Sequence, residues 1–141
     1  MTTTHNSVMR NPVGRARGTG SSRDGAAHHW MTNVTAVGLI PLSLWFVCSV
    51  LGLVGADYAT FIMWLGQPVN ATLMIATVVL AVYHAQMGVQ EVLIDYVHCE
   101  VLKTASLIAL KLVAAVLGLF MTIAVLKVAV LTTLYQAVTG G

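Results

Sequence analysis

The residues of this chain best suited to chemistry fall in one short stretch: His84, Gly88, Glu91, Asp95 and Tyr96. A neutral imidazole can ligate a metal, a phenol can donate a hydrogen bond to a carbonyl, and carboxylates can relay protons. His84, Gly88, Glu91 and Asp95 stand at i, i+4, i+7 and i+11, offsets that fall within about 60° of one another on a helix. Thr77 and Ala81 extend the line backwards, so a ridge of small and polar residues runs among Leu, Val, Ile and Met. Something other than lipid must meet that ridge.

The elements that position the ridge follow from composition. Of 141 residues, 57% are hydrophobic and 9% charged, against roughly 25% charged in a soluble domain. With a mean hydropathy of +0.83, a water-exposed surface would be mostly apolar, so lipid is the solvent for much of the chain and a soluble globular domain is excluded. The net charge of +2 comes from basic groups too sparse to line a nucleic-acid groove. The expected fold is all-α, a three-helix integral membrane domain over residues 31–141 behind a flexible, basic tail over residues 1–30. The first span is expected at about 31–54, where 24 residues carry no charge and reach about 36 Å against a ~30 Å hydrocarbon layer. Pro41 lies inside it and is expected to kink it. The second span is expected at 68–95 and the third at about 104–134, with a loop at 55–66 and no fourth helix. Arg10, Arg15, Arg17 and Arg23 in the tail place the amino terminus on the cytoplasmic or matrix side. The tail lacks the apolar stretch of a secretory signal, although its Arg-rich, acid-poor composition also suits a mitochondrial presequence.

In that frame Asp95 marks the inner membrane boundary, and His84 lies eleven residues, about 16 Å, deeper. A histidine near mid-bilayer needs a partner. Two readings satisfy it: ligation of a haem iron with the other ring nitrogen hydrogen-bonded, or a hydrogen bond to a neighbouring helix. Position leaves both open. Gly88, one turn away, would let a flat porphyrin approach the backbone. His5, His28, His29 and His98 lie in the tail or at the boundary, so a second axial ligand would come from another subunit. Asp95 and Tyr96 likewise have two readings: boundary residues in water and the aromatic belt, or a proton relay and hydrogen-bond donor for a quinone.

The remaining polar groups read as structural. Glu91 is a boundary residue, Trp30 an interface anchor, Lys111 and Lys127 snorkelling anchors, and the seven Met packing filler. Cys48 reads as a small buried apolar residue, while Cys99 has no assigned role. A small transporter would use a buried acid in its first span, and residues 31–54 contain none.

The run Tyr83, His84, three residues, Gly88, six residues, Asp95, Tyr96, Val97, His98 resembles the H-x3-G-x6-D-Y signature of the succinate dehydrogenase hydrophobic membrane anchor family, the D-type subunit of succinate:quinone oxidoreductase. A second match runs from Arg15, Ala16, Arg17 and Gly18 through His28, His29 and Trp30 to Thr35, Ala36 and Val37. The resemblance implies that His84 is a haem b ligand, Tyr96 a hydrogen-bond donor to ubiquinone and Asp95 its supporting neighbour. It implies as partners a second anchor (cytochrome b) subunit, an iron–sulfur subunit and a flavoprotein subunit, with succinate oxidised elsewhere than on this chain. The implied location is a bacterial cytoplasmic or mitochondrial inner membrane. One departure stands out: the family usually carries Gln-Arg just before Thr-Ala, where this chain has Asn33 and Val34 ahead of Thr35, so a basic group expected near the haem propionates or the quinone is missing. The alternative to a haem-binding subunit is a cofactor-free anchor.

Overall fold

The computed structural model describes the backbone of residues 23–139 and the side chains of residues 29–139. The basic residues Arg10, Arg15 and Arg17, and the matched stretch from Arg15 to Gly18, lie outside the described residues. Four helices follow one another: α1 (Arg23–Gly52), α2 (Tyr58–Leu65), α3 (Pro68–Tyr96) and α4 (Glu100–Thr139). The chain divides into two compact units, residues 1–33 and residues 34–141. In the first the described part is helical from Arg23 onward; in the second the helices pack.

Three helices are long and apolar enough to cross a membrane: His29–Gly52 in α1, Pro68–Tyr96 and Glu100–Thr139. The second of these helices has both its ends written locally. Pro68 occupies the first helical turn, where its missing N–H is no loss, and the helix closes at the Val97 cap, whose N–H bonds the Leu93 carbonyl. The other boundaries shift. α1 begins at Arg23, within the segment expected to be tail, continues through Pro41 and stops at Gly52. α4 begins four residues before Thr104 and ends five after Leu134, because charge marks where a membrane ends and not where a helix does; no proline interrupts those 40 residues, about 60 Å of helix.

The expected loop at 55–66 contains a fourth, short helix. Asp57 caps α2, its carboxylate accepting from the Thr60 N–H at 3.1 Å. Hydrogen bonds from Thr60, side chain first and backbone second, hold the Asp57 carboxyl below its ordinary value. Its support of α2 is therefore present above the ordinary carboxylate range and is lost as the pH falls through the depressed value. Eight residues are too few to span a bilayer, so the count of three crossings stands. Gly55, at φ 83°, turns the chain between α1 and α2 in a conformation costly for other residues.

Burial is concentrated at the α2 end. Leu65, Ala71 and Val125 form the core, with Trp64, Met74, Ile75, Val128 and Ala129 against it. Trp64 stacks on Trp45 of α1 at 6.0 Å between ring centroids and on Phe61 at 6.5 Å. Asn70 donates to the Trp64 carbonyl at 2.8 Å, tying α2 to α3. Gly66, at the close of α2, lies so near α4 that a methyl group there would overlap the Thr132 side chain. Gly66→Ala should therefore destabilise the domain by about 1–3 kcal/mol, as over-packing of a filled contact does, read as a lower unfolding temperature in detergent. The same change at Gly52, where nothing lies within 4 Å, should cost far less.

Elsewhere the large apolar side chains face outward, among them Val37, Leu44, Leu51, Leu112, Val116, Leu119 and Phe120. Helices in lipid have no hydrophobic drive to hide such residues from one another. The closely packed pair is α3 and α4, antiparallel across the turn Val97–Cys99. Beyond Val34, among the described residues, no Cα of α1 comes within 8 Å of a Cα of another helix. α1 meets its neighbours through side chains.

Candidate cofactor and quinone-facing sites on α3

His84 is half-buried a little past the middle of α3. Its Nδ1 shares a 3.0 Å hydrogen bond with Oγ1 of Thr35 on α1, and Thr35 is 5% exposed. One turn farther in, a Cβ at Gly38 would meet Leu80 Cδ1 at 3.5 Å, ordinary contact. Thr35 with His84 and Gly38 with Leu80 are thus successive rungs between two antiparallel helices. Met87, 3% exposed, lies one turn from His84 on the side of Leu80. With Nδ1 occupied, Nε2 is the ring nitrogen left for a further partner.

Gly88 is exposed, and a Cβ built there has nothing within 4 Å. The ridge is therefore open beside His84. Among the described residues no three His, Cys, Asp or Glu side chains gather as a metal cage. A single imidazole beside open space suits a planar macrocycle, which brings four of its own ligands and asks the protein for axial ones. The donor set fits haem.

The ridge does not meet a single neighbour along its length. Of its members His84 is turned to α1, with Leu80 beside it. Thr77 and Ala81 line an apolar groove of about 560 Å³ on the α3–α4 seam, completed by Phe46. A second groove of about 400 Å³ on that seam is lined by Tyr83, Gln86, Gly118 and Lys111. Lys111 can lay its aliphatic stem there among Val79, Val82 and Leu119, consistent with a snorkelling anchor.

Asp95 and Tyr96 close α3, and both are exposed, Tyr96 to 79%. About 16 Å of helix separates Asp95 from His84, so the sequence-derived residues form two stations on one rod. Asp95 continues the histidine's face; Tyr96 is rotated by about 100° from it. The turn is pinned by His98, whose Nδ1–H donates to the Tyr96 carbonyl at 3.1 Å. Cys99 is exposed and unpaired in a disulfide, as is Cys48. The expected burial of Cys48 is thus corrected: it lies on the outward face of α1, where a thiol is tolerated as a small apolar group. Thr35 was not singled out as a site residue from the sequence. It is one of four hydroxyl residues in the charge-free span, with Thr32, Ser43 and Ser49, and its partner lies 49 positions away, so nothing local marks it out.

Residues 7–126 match the family described as succinate dehydrogenase/fumarate reductase transmembrane subunit. The chain belongs to this family. It is 34% identical over 105 residues to the succinate dehydrogenase hydrophobic membrane anchor subunit of Rickettsia bellii, covering 74% of this chain and 83% of that one. The subunit of the same name from Rickettsia conorii is 32% identical over 114 residues, covering 75% and 90%. That of Paracoccus denitrificans is 29% identical over 85 residues, covering 60% and 66%. No solved structure matches. As a membrane anchor subunit of the succinate dehydrogenase/fumarate reductase family, the chain is part of an enzyme complex and crosses its membrane more than once.

Proposed function

We propose that this anchor subunit supplies one axial ligand of a haem b, His84, and one wall of a ubiquinone-reducing site, Tyr96 with Asp95, in a succinate:quinone oxidoreductase. The observation that carries the reading is the half-buried imidazole of a spanning helix, held through Nδ1 beside the open face of Gly88. Haem, when bound, supplies a one-electron carrier within the bilayer. His84 would hold it through Nε2, the nitrogen not engaged by Thr35, and Gly88 would leave room beside the imidazole. A further ligand would have to come from a second anchor subunit, since the other histidines of this chain lie in the tail or at the membrane boundary.

Quinone reduction takes two electrons and two protons. Tyr96, at the water-facing end of α3, donates its phenolic hydrogen bond to a quinone carbonyl, and the exposed carboxylate of Asp95 relays protons from water. The electrons come from an iron–sulfur subunit bound to the flavoprotein on which succinate is oxidised. This chain does not oxidise succinate. The arginine-rich tail puts the α3–α4 turn on the inner side of a bacterial cytoplasmic or mitochondrial inner membrane, the side on which soluble subunits dock.

Purification through a tag on this chain tests the reading. The expected preparation contains a second small membrane subunit, an iron–sulfur protein and a flavoprotein, and shows a reduced-minus-oxidised b-type spectrum. A complete but colourless-in-the-b-region complex would reduce the chain to a plain anchor, and isolation of the chain without redox partners would overturn the assignment.

A further inference from the structure

We propose that Thr35 is a positioning residue for His84: its hydroxyl oxygen accepts the Nδ1 proton and so fixes the imidazole in the tautomer that leaves the Nε2 lone pair for a metal. This inference rests on the reading of His84 as a haem ligand.

A neutral imidazole carries one proton on either nitrogen, and the nitrogen that holds it cannot ligate. A partner at Nδ1 therefore decides what Nε2 can do. The partner is Oγ1 of Thr35, 3.0 Å away, and a hydroxyl can either donate or accept. The behaviour of threonines in these helices indicates which. Thr72, Thr77, Thr122 and Thr132 each donate the hydroxyl proton to the carbonyl four residues back, at 2.7 to 2.9 Å. A helical threonine that spends its proton this way keeps its lone pairs for an incoming N–H. Used so, Thr35 can only accept from His84.

Placement adds weight to chemistry. Thr35 and Thr132 are the buried polar residues among those described. The Thr132 hydroxyl is satisfied within its own helix, whereas Thr35 reaches a side chain of another one. One turn away a methyl group at Gly38 would just touch Leu80, so α1 runs alongside α3 at that level. An N–H donated to a protein acceptor raises the basicity of the ligating nitrogen, which favours ferric over ferrous iron.

The test compares Thr35→Val, which keeps the shape and removes the acceptor, with Thr35→Ser, which keeps the acceptor, in the purified complex. Outer-shell partners of metal-bound histidines are worth about 10-fold or more in affinity. If that falls on the ferric state, Thr35→Val should favour ferrous haem about tenfold, a rise in midpoint potential of about 59 mV for one electron. Thr35→Ser should stay at the native potential. Loss of the pigment from Thr35→Val with retention in Thr35→Ser supports the proposal equally. A native potential in Thr35→Val overturns it, as do equal shifts or equal pigment loss in both variants, which would mark Thr35 as packing only. If Thr35→Val does not assemble, Thr35→Ala carries the same expectation. Absence of a b-type signal from the unaltered complex would instead sink the His84 reading, so the two failures are distinguishable.

Discussion

Replacing His84 by leucine is expected to abolish the b-type absorbance of the purified complex while succinate oxidation with an artificial acceptor continues near its native rate. Leucine suits a spanning helix, and the α2-end core of Leu65, Ala71 and Val125 lies far along α3 from position 84, so the fold should survive. What is removed is the donor atom. Without that donor a haem would be lost, or retained with an altered spectrum in place of the native b-type one. A reduced-minus-oxidised spectrum identical to the native one would assign the iron to other residues and leave His84 as a helix-to-helix contact with Thr35.

The second large effect is expected at the membrane boundary. Tyr96→Phe should lower succinate-to-quinone turnover by about tenfold or more, because one hydrogen bond to a bound carbonyl contributes about 1.5 kcal/mol and loss of a positioned proton donor adds to it. Activity with an artificial acceptor that takes electrons before the quinone should be unchanged. The phenol is 79% exposed in the isolated chain and bears none of the buried packing, so a folding defect is not the expected cause of a loss. Equal survival of both activities would remove Tyr96 from the quinone site.

How much of this could be read beforehand depended on the range over which each feature is encoded. The ridge of His84, Gly88, Glu91 and Asp95 needs only that residues 68–96 be one unbroken helix, and they are; the 3.6-residue period then does the placing. The short helix α2 was hidden because its decisive feature is a local cap at Asp57, in a segment too short to span a bilayer and bounded by Gly55 and Gly66, which look like the ends of an ordinary loop. The full length of α4 was hidden for the opposite reason, since Lys103 and Lys127 mark membrane level while the helix continues past both. Thr35 and the grooves on the α3–α4 seam depend on which helices adjoin and at what rotation. That information is carried by packing between residues 49 positions apart, and a period along one helix contains none of it.

The turn Val97–Cys99 leaves only three residues between α3 and α4, so the two spans form a hairpin with its apex at one face of the membrane. Glu91, Asp95, Glu100 and Lys103 crowd within a few residues of that apex. Dragging it through hydrocarbon would cost about 10 kcal/mol or more at roughly 2.5–3.5 kcal/mol per charge. An apex so charged resists crossing the hydrocarbon, whichever face of the membrane it occupies.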